Sequence, residues 1–185
     1  MDDYEKELPA DLRRIAAFHG HYCPGIMTGY LASKIGLERL EAGRAADEEL
    51  IAIVENDSCA ADAVQVMTGC TFGKGNFFFR DYGKHVYTFA VRPSGKAVRV
   101  SRLAETPEGP EDETRKERML RLLSTPPEKL WKIEEGTIEL PEAAAIHESV
   151  VCTRCGEAAM ITRTRDVDGE VVCLACLEGQ TRLFK

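Results

Sequence analysis

Four cysteines near the C-terminus have the spacing of a structural zinc site. Cys152 and Cys155 form one Cys-x-x-Cys pair, and Cys173 and Cys176 form a second pair after seventeen intervening residues. Each pair directs two thiolates at one tetrahedral ion, and four cysteine ligands leave no open coordination position. The spacing therefore predicts a closed Zn²⁺ site that contributes to folding. A redox dithiol and four unliganded cysteines are the alternatives.

A second set of ligand-type side chains lies in the first third of the chain. His19, His21 and Cys23 share one short segment, and Cys59 and Asp62 follow about forty residues later. Imidazole and thiolate are preferred ligands of zinc and other transition metals. Backbone N–H groups at a helix start favour a thiolate, which makes Cys59 a candidate ligand or nucleophile. The alternative is ordinary: such histidines often cap or pack, and free cysteines are often small buried hydrophobes.

The glycine-rich segment 69–76 is not a phosphate-binding P-loop. Only three residues separate Gly69 from Gly73, Gly75 stands where a Ser or Thr is required, and a helix precedes the segment instead of a strand. Lys74 remains a candidate for holding an anion, with a solvated lysine in a turn as the alternative.

Helices and short strands must position these groups. Apolar residues recur at helical spacing in residues 9–18, from Pro24 to about Leu40, after Cys59, and around Met119. The apolar run 50–54 predicts a buried strand, and the runs at 77–79, 86–91 and 97–103 predict an antiparallel sheet. Pro126 and Pro127 predict a short last helix through Trp131, and residues 134–149 are interpreted as a connector. An Asp-Gly turn signal at 168–169 predicts a hairpin between the two cysteine pairs.

Size and composition limit the class of protein. The chain has 185 residues, 44% of them hydrophobic and 30% charged, which is typical of one folded domain with a small appendage. Seven cysteines, an odd number, argue against a disulfide framework. The chain has no apolar run long enough for a membrane span, and its acidic start differs from a secretory signal. We therefore expect a cytoplasmic protein without a membrane partner.

The charge of the chain disfavours nucleic acid as a partner. The sequence has 24 Lys and Arg against 31 Asp and Glu, a net charge of -7. Residues 150–185 hold five basic and five acidic groups, so the cysteine-rich end has no evident basic face. Protein contact or stabilisation of the fold is the better-supported role for this end.

Two stretches together resemble the FmdE family of formylmethanofuran dehydrogenase proteins. They are FHGHYCPG at 18–25, with Gly29, and ENDSCAADAVQVMTGCTFGKGN at 55–76, followed by DYGK at 81–84. Many members of that family have an α+β core followed by a C-terminal zinc finger of treble-clef type, which CTRCGE at 152–157 and CLAC at 173–176 match. The resemblance is weakest over residues 105–149.

The resemblance implies an α+β fold with an antiparallel sheet and packed helices, divided into a core (1–135), a connector (136–149) and a zinc finger (150–185). It also implies a homodimer with a metal-binding cleft. His19, His21, Cys23 and Cys59 carry over as candidate ligands. The candidate cleft-lining residues are Asp62, Gln65, Cys70 and Lys74. The family name refers to a tungsten or molybdenum oxidoreductase of C1 metabolism in methanogens.

Three functions follow as expectations. The first is an accessory protein with a structural zinc and a second metal in the core, serving a larger oxidoreductase complex or its maturation. The second is a metalloenzyme acting on a C1 or acyl substrate, with Cys59, Asp62 and Lys74 as catalytic residues, Asp62 as base and Lys74 as anion holder. The third is a zinc-finger regulator that binds nucleic acid, which the acidic charge disfavours.

Overall fold

Residues 8–179 are described by a computed structural model, and the chain divides between Ala144 and Ala145 into two units. The first unit is α+β. Its helices are α1 (Ala10–His19), α2 (Pro24–Leu40), α3 (Ala60–Thr68) and α4 (Arg115–Ser124). Its strands are β1 (Leu50–Val54), β2 (Phe77–Phe79), β3 (Val86–Val91), β4 (Lys96–Arg102) and β5 (Trp131–Thr137). Within residues 8–179, no helix is both long enough and apolar enough to cross a bilayer.

The five strands form one sheet in the order β2-β1-β3-β4-β5. Strands β1, β3, β4 and β5 pair antiparallel in that order, with Ala52 opposite Phe89 and Val98 opposite Glu135. The pairing of β3 with β4 agrees with the antiparallel sheet that the sequence predicts. The exception is β2, which pairs parallel to β1. Helix α3 lies between these two strands in the chain, and it returns the chain to the end of the sheet where β1 began, so that β2 runs in the same direction as β1. The sheet is therefore mixed and mainly antiparallel.

Strand β5 corrects the predicted end of the core. The helix expected through Trp131 is only a 3₁₀ turn over Pro127–Lys129, and Trp131 begins an edge strand that runs to Thr137. Residues 134–137, expected as connector, are thus part of the sheet. The charged side chains in this segment do not indicate a strand from the sequence. In the structure Glu134 of β5 forms an ion pair at 2.9 Å with Arg99 of the neighbouring strand β4. Tertiary pairing here outweighs the weak strand propensity of glutamate.

The main core lies between the helices and one face of the sheet. Leu12, Ile26, Tyr87 and Phe89 are fully buried there. Helix α2 approaches the sheet closely because it has no side chain at Gly36, where a Cβ would overlap the ring of Phe89. The opposite face of the sheet has a smaller apolar cluster, against which residues after β5 pack. That cluster comprises Ile51, Ile53, Ala90 and Ala97, with Phe78, Ile138 and Leu140 around it.

The second unit is built from two hairpins and a short helix. Strands β6 (Ser149–Val151) and β7 (Ala158–Met160) form the first hairpin, and β8 (Thr164–Val167) and β9 (Glu170–Cys173) form the second. Asp168 and Gly169 both have positive φ, 55° and 84°, so the predicted Asp-Gly turn is present. Helix α5 (Leu174–Leu177) follows directly. This arrangement is consistent with the small zinc finger that the sequence predicts.

Candidate metal centres

The four C-terminal cysteines converge in the second unit. Their Sγ atoms all lie within 4.8 Å of one another. Cys152 and Cys155 flank the turn after β6, while Cys173 ends β9 and Cys176 lies in α5. The Sγ atoms of Cys155 and Cys173 are 3.9 Å apart. Four Zn–S bonds of ~2.3 Å in a tetrahedron place neighbouring sulfurs about 3.8 Å apart, so this cluster fits a zinc ion.

The thiols of this cluster have divergent pKa values. The backbone N–H of Cys173 donates to Cys152 Sγ at 3.3 Å, and this bond, with that from the Cys155 N–H, lowers the pKa of Cys152 to about 6. Hydrogen bonding with Cys173 and burial raise the pKa of Cys176 to about 12. Sulfurs this close cannot all ionise together unless a cation compensates their charge. A divalent ion is the natural compensation, because it displaces the thiol protons.

The second cluster forms where α1 ends and α2 begins. Gly20 adopts a left-handed conformation (φ 95°) and its N–H bonds to the carbonyl of Ala16, which ends α1 just after His19. Pro24 starts α2, so His19, His21 and Cys23 occupy one tight turn. One ligand atom of each lies within 4.8 Å of the others. The sequence predicted this convergence, although it left open whether both histidines point to the same place.

The distances within this second cluster fit a metal. His19 Nε2 lies 3.8 Å from Cys23 Sγ. Ligands at ~2.0 Å (nitrogen) and ~2.3 Å (sulfur) in a tetrahedron are about 3.5 Å apart. Cys23 is buried and His21 is exposed, so the ligand atoms span the boundary between core and solvent. Three protein ligands with one exposed member are typical of a site that keeps an open coordination position.

Asp62 orients His19. Its Oδ2 atom lies 2.8 Å from His19 Nδ1, and only 11% of the His19 side chain is exposed. A carboxylate only accepts, so Nδ1 is the nitrogen that donates to Asp62, and Nε2, on the side of Cys23, is the nitrogen left to bind a metal ion. Carboxylate–histidine–metal arrangements of this kind fix the tautomer and ring orientation of a ligand. In this geometry Asp62 is engaged as a positioning residue for His19.

Cys59 lies beside the second cluster. It precedes α3, and a Cβ built on Gly25 would lie 3.5 Å from Cys59 Sγ and 3.6 Å from Cys23 Sγ. Burial, then the charge and hydrogen bonding of Cys23, raise the pKa of Cys59. The expectation that the helix start favours its thiolate is therefore wrong for the metal-free protein, because burial and the second sulfur outweigh the helix effect. Cys59 becomes a ligand only if a cation takes the place of its proton.

Sequence reasoning missed Gly25 as a positioning residue. A Cβ at this position would lie 2.8 Å from the Cβ of Cys59, closer than side chains pack. Glycine here lets the start of α2 approach the start of α3, which brings Cys23 and Cys59 together. The available signal was the Cys-Pro-Gly sequence, in which a glycine directly follows the proline that starts α2.

Three candidate cleft residues lie elsewhere. Lys74 is in the loop beyond the C-terminal end of α3, and its ammonium donates to the carbonyls of Ala46 and Asp47, each at 3.2 Å. Gln65 accepts from the Phe72 N–H at 3.4 Å, which holds the same loop. Cys70 is fully buried, and burial raises its pKa to about 11. These contacts hold the loop in place at the opposite end of α3 from Cys59 and Asp62.

Comparisons with known proteins match both units. The family model described as "FmdE, Molybdenum formylmethanofuran dehydrogenase operon" matches residues 18–133. A crystal structure of a tungsten formylmethanofuran dehydrogenase FmdE-like protein from Syntrophus aciditrophicus has a TM-score of 0.71 and 27% identity, covering 97% of this chain and 95% of that one. A "Probable S-adenosyl-L-methionine-binding protein" of Archaeoglobus fulgidus is 33% identical over 201 residues, covering 93% of this chain. This chain spans 54%, about half, of that relative's length.

Proposed function

Because this chain belongs to the FmdE family, we propose that it is a metal-binding accessory protein that carries a structural zinc at its C-terminal cysteines and a second transition metal in its core. One observation carries the second site: His19 Nε2 is aimed at Cys23 by the Asp62 carboxylate, at the separation two ligands of one ion require. A histidine held in this way has a pre-set lone pair, which reduces the ordering needed on metal binding.

We propose a ligand set for the core site, of which the 4.8 Å cluster contains the first three members and not Cys59. His19, His21 and Cys23 supply the first three ligands, and Cys59 is the candidate fourth. Mixed imidazole and thiolate ligands suit zinc and related divalent metals. When bound, such an ion would neutralise the thiolates. With Cys59 as fourth ligand its shell would be closed, whereas with three protein ligands it would act as a Lewis acid toward an external fourth ligand. The chain's own residues orient the imidazole, exclude water from Cys23 and set which thiols must release protons.

Metal analysis of purified protein tests the two-site proposal. Wild type should contain two metal ions per chain. Cys152→Ser and Cys23→Ser should each remove about one ion, and the double variant should remove both. Cys70→Ser is the matched control, because this cysteine is also buried but lies outside both clusters. A wild-type content of one ion, lost entirely in Cys152→Ser, would eliminate the core site.

The role of Asp62 is tested by metal affinity. We expect Asp62→Ala to weaken binding at the core site about 10–100-fold, the usual effect of removing an outer carboxylate. Competition with a chromophoric chelator measures this ratio. Asp57→Ala is the control, since Asp57 is an exposed acid five residues away in the segment before α3. Equal affinities for the two variants would contradict the orienting role.

A larger oxidoreductase, or its maturation machinery, is the proposed partner. The support is the family description, which names a molybdenum formylmethanofuran dehydrogenase operon. Affinity purification of the tagged chain from its native cells should recover a molybdenum or tungsten enzyme at defined stoichiometry. Recovery of the chain as a homodimer alone would favour an independent role. A homodimer within such a complex is the assembly we expect from the family.

A metalloenzyme is the second candidate, and the exposure of His21 favours it. A core ion with three ligands would leave one position for a small C1 or acyl substrate. Asp62, engaged with His19, would then position the ligand instead of acting as base. Turnover of formyl donors by the metal-loaded protein, lost in Cys23→Ser and kept in Cys152→Ala protein that still folds, would support this candidate. The name of the archaeal relative adds S-adenosylmethionine as a ligand to titrate in the same samples.

A further inference from the structure

An arginine-lined cavity of about 330 Å³ lies in the first unit, and no cysteine or histidine lines it. The end of β4, the start of the chain after β4, and α4 enclose it. Three guanidinium groups line it: Arg102 on β4, and Arg118 and Arg121 on α4. The rest of the wall comes from residues 106–111 and from Glu113 and Leu122. This volume is at the lower end of the range for ligand-binding pockets.

Arg102 has no counter-ion in the part of the chain that the structure describes. Its Nη1 atom is sealed from solvent and has no hydrogen-bond acceptor within residues 8–179. The guanidinium lies over the ring of Trp131, its cross-strand partner, with 5.4 Å between the guanidinium carbon and the ring centroid. Burial and the neighbouring charges of Arg118 and Arg121 lower the pKa of Arg102. Stacking on Trp131 fixes the position of the Arg102 guanidinium group, whose positive charge remains available to an anionic ligand.

Arg121 is already paired and holds the wall of the cavity. Its Nε and Nη2 donate to the two carboxylate oxygens of Glu113 at 2.5 and 2.8 Å, and its Nη1 donates to the carbonyl of Pro107 at 2.7 Å. This bidentate pair joins α4 to the segment before it. The cavity is therefore built in advance by bonds that do not use the other two arginines.

Arg118 lies one helical turn before Arg121 and lines the same cavity. It is exposed, and among the described residues it takes part in no ion pair. Two acids, Glu108 and Glu111, also line the cavity, and both are exposed at its rim. Within the described ranges, neither acid is at ion-pair distance from an arginine. The cavity thus has two guanidinium groups, Arg102 and Arg118, that form no ion pair among the described residues, whereas its third acid, Glu113, is paired with Arg121.

From this cavity we infer that the core binds the phosphate group of a small soluble molecule between Arg102 and Arg118. Guanidinium groups match the oxygens of phosphate in shape and charge, and two unpaired arginines suit a doubly charged oxyanion better than a single carboxylate. The lining is mostly polar and charged, which fits a phosphate more than an apolar ligand. The site does not depend on either metal centre.

Calorimetric titration of the full chain with inorganic pyrophosphate at low ionic strength tests this site. We expect saturable binding with one site per chain, weakened about 10–100-fold by Arg118→Gln, because glutamine cannot replace the charged hydrogen bonds of a guanidinium group. Arg115→Gln is the matched control: Arg115 is exposed in the first turn of the same helix and does not line the cavity. Its affinity should stay within about twofold of wild type.

Three further measurements make the result specific. Glu108→Gln should tighten pyrophosphate binding, because it removes a negative charge from the rim. Acetate should bind at least tenfold more weakly than pyrophosphate. Vesicles containing phosphatidic acid should not compete for the site, because the phosphate must enter the cavity. Absence of saturable binding, equal losses in Arg118→Gln and Arg115→Gln, acetate binding as tight as pyrophosphate, or competition by vesicles would each overturn the inference.

Discussion

Gly29→Ala should force α2 and α3 apart and disturb the proposed core metal site. A Cβ at residue 29 would overlap the carbonyl oxygen of Ala60 and lie 2.8 Å from the Cβ of Ala63, whereas ordinary contact begins at about 3.4 Å. The second contact alone requires a shift of about 0.6 Å (3.4 − 2.8). Both obstacles belong to α3 and neither is the flexible end of a side chain, so the helices themselves must move.

The magnitude follows from two opposing effects. Overpacking of a well-packed core costs ~1–3 kcal/mol. Because the new Cβ would be too close to two atoms of α3, we take a cost in the upper part of this energy range. Replacing a mid-helix glycine by alanine returns about 1 kcal/mol of helix propensity. We expect Gly29→Ala to lower the free energy of unfolding by about 2 kcal/mol. Cys23 precedes α2 and Cys59 precedes α3, so the same separation should lower metal affinity at the core site.

Urea unfolding followed by tryptophan fluorescence is the assay. The chain has one tryptophan, Trp131, which is 3% exposed in the first unit, so its signal reports that unit alone. Gly43→Ala is the control, because a Cβ there meets nothing within 4 Å and the variant should be unchanged or slightly stabilised. If Gly29→Ala were as stable as Gly43→Ala and retained full metal content, the close approach of the two helices would not be needed for either property.

Three other predictions concern stability. Asn76 is buried, donates to the carbonyls of Asp47 and Leu50 at 2.9 and 3.0 Å, and accepts from the Thr71 N–H at 3.0 Å. Asn76→Ala should cost about 3 kcal/mol in urea unfolding, since three backbone groups lose their partner; a cost below about 1 kcal/mol would contradict this. Thr114 forms a capping box with Glu117, so Thr114→Ala should cost about 1 kcal/mol and speed amide exchange in α4, while an unchanged rate would show the cap to be dispensable. Burial raises the pKa of Cys70 from 9.0 to about 11, so the folded state keeps its proton while the unfolded state ionises. The contribution of this neutral thiol to the free energy of unfolding is fully present below pH 9. It declines as the pH rises toward 11, by up to about 3 kcal/mol. Cys70→Ser should flatten the decline, and equal slopes would exclude Cys70 as its source.

The features fixed by local spacing could be predicted from the sequence. The Cys-x-x-Cys pairs specify their own geometry, and Gly20 and Pro24 mark helix boundaries whatever surrounds them. Residues that depend on tertiary contacts could not be predicted. Strand β5 is held by its pairing with β4, and its alternation of apolar and polar residues lasts only from Trp131 to Glu134, too short to predict a seven-residue strand.

The site shows the same division. The turn 19–23 gathers its ligands through local structure, so sequence alone indicated the cluster. The functions of Asp62 and Lys74 depend on partners far along the chain. Asp62 bonds to His19, 43 residues away, and Lys74 reaches the carbonyls of Ala46 and Asp47 instead of an open cleft. Spacing within a helix tells which side chains share a face, but it does not tell what that face meets.

The bond between His19 and Asp62 makes the carboxylate a mechanical link. His19, His21 and Cys23 span only five residues, so an ion bound by these three side chains alone would restrict the motion of one turn. Asp62 transmits that stiffness to α3, and through α3 to the strand β1 that leads into it. Extracting the ion should therefore loosen α3 in wild-type protein, whereas in Asp62→Ala the turn and the helix should respond independently. One carboxylate oxygen would then determine whether metal binding at the turn 19–23 also reduces the motion of β1 and the sheet around it.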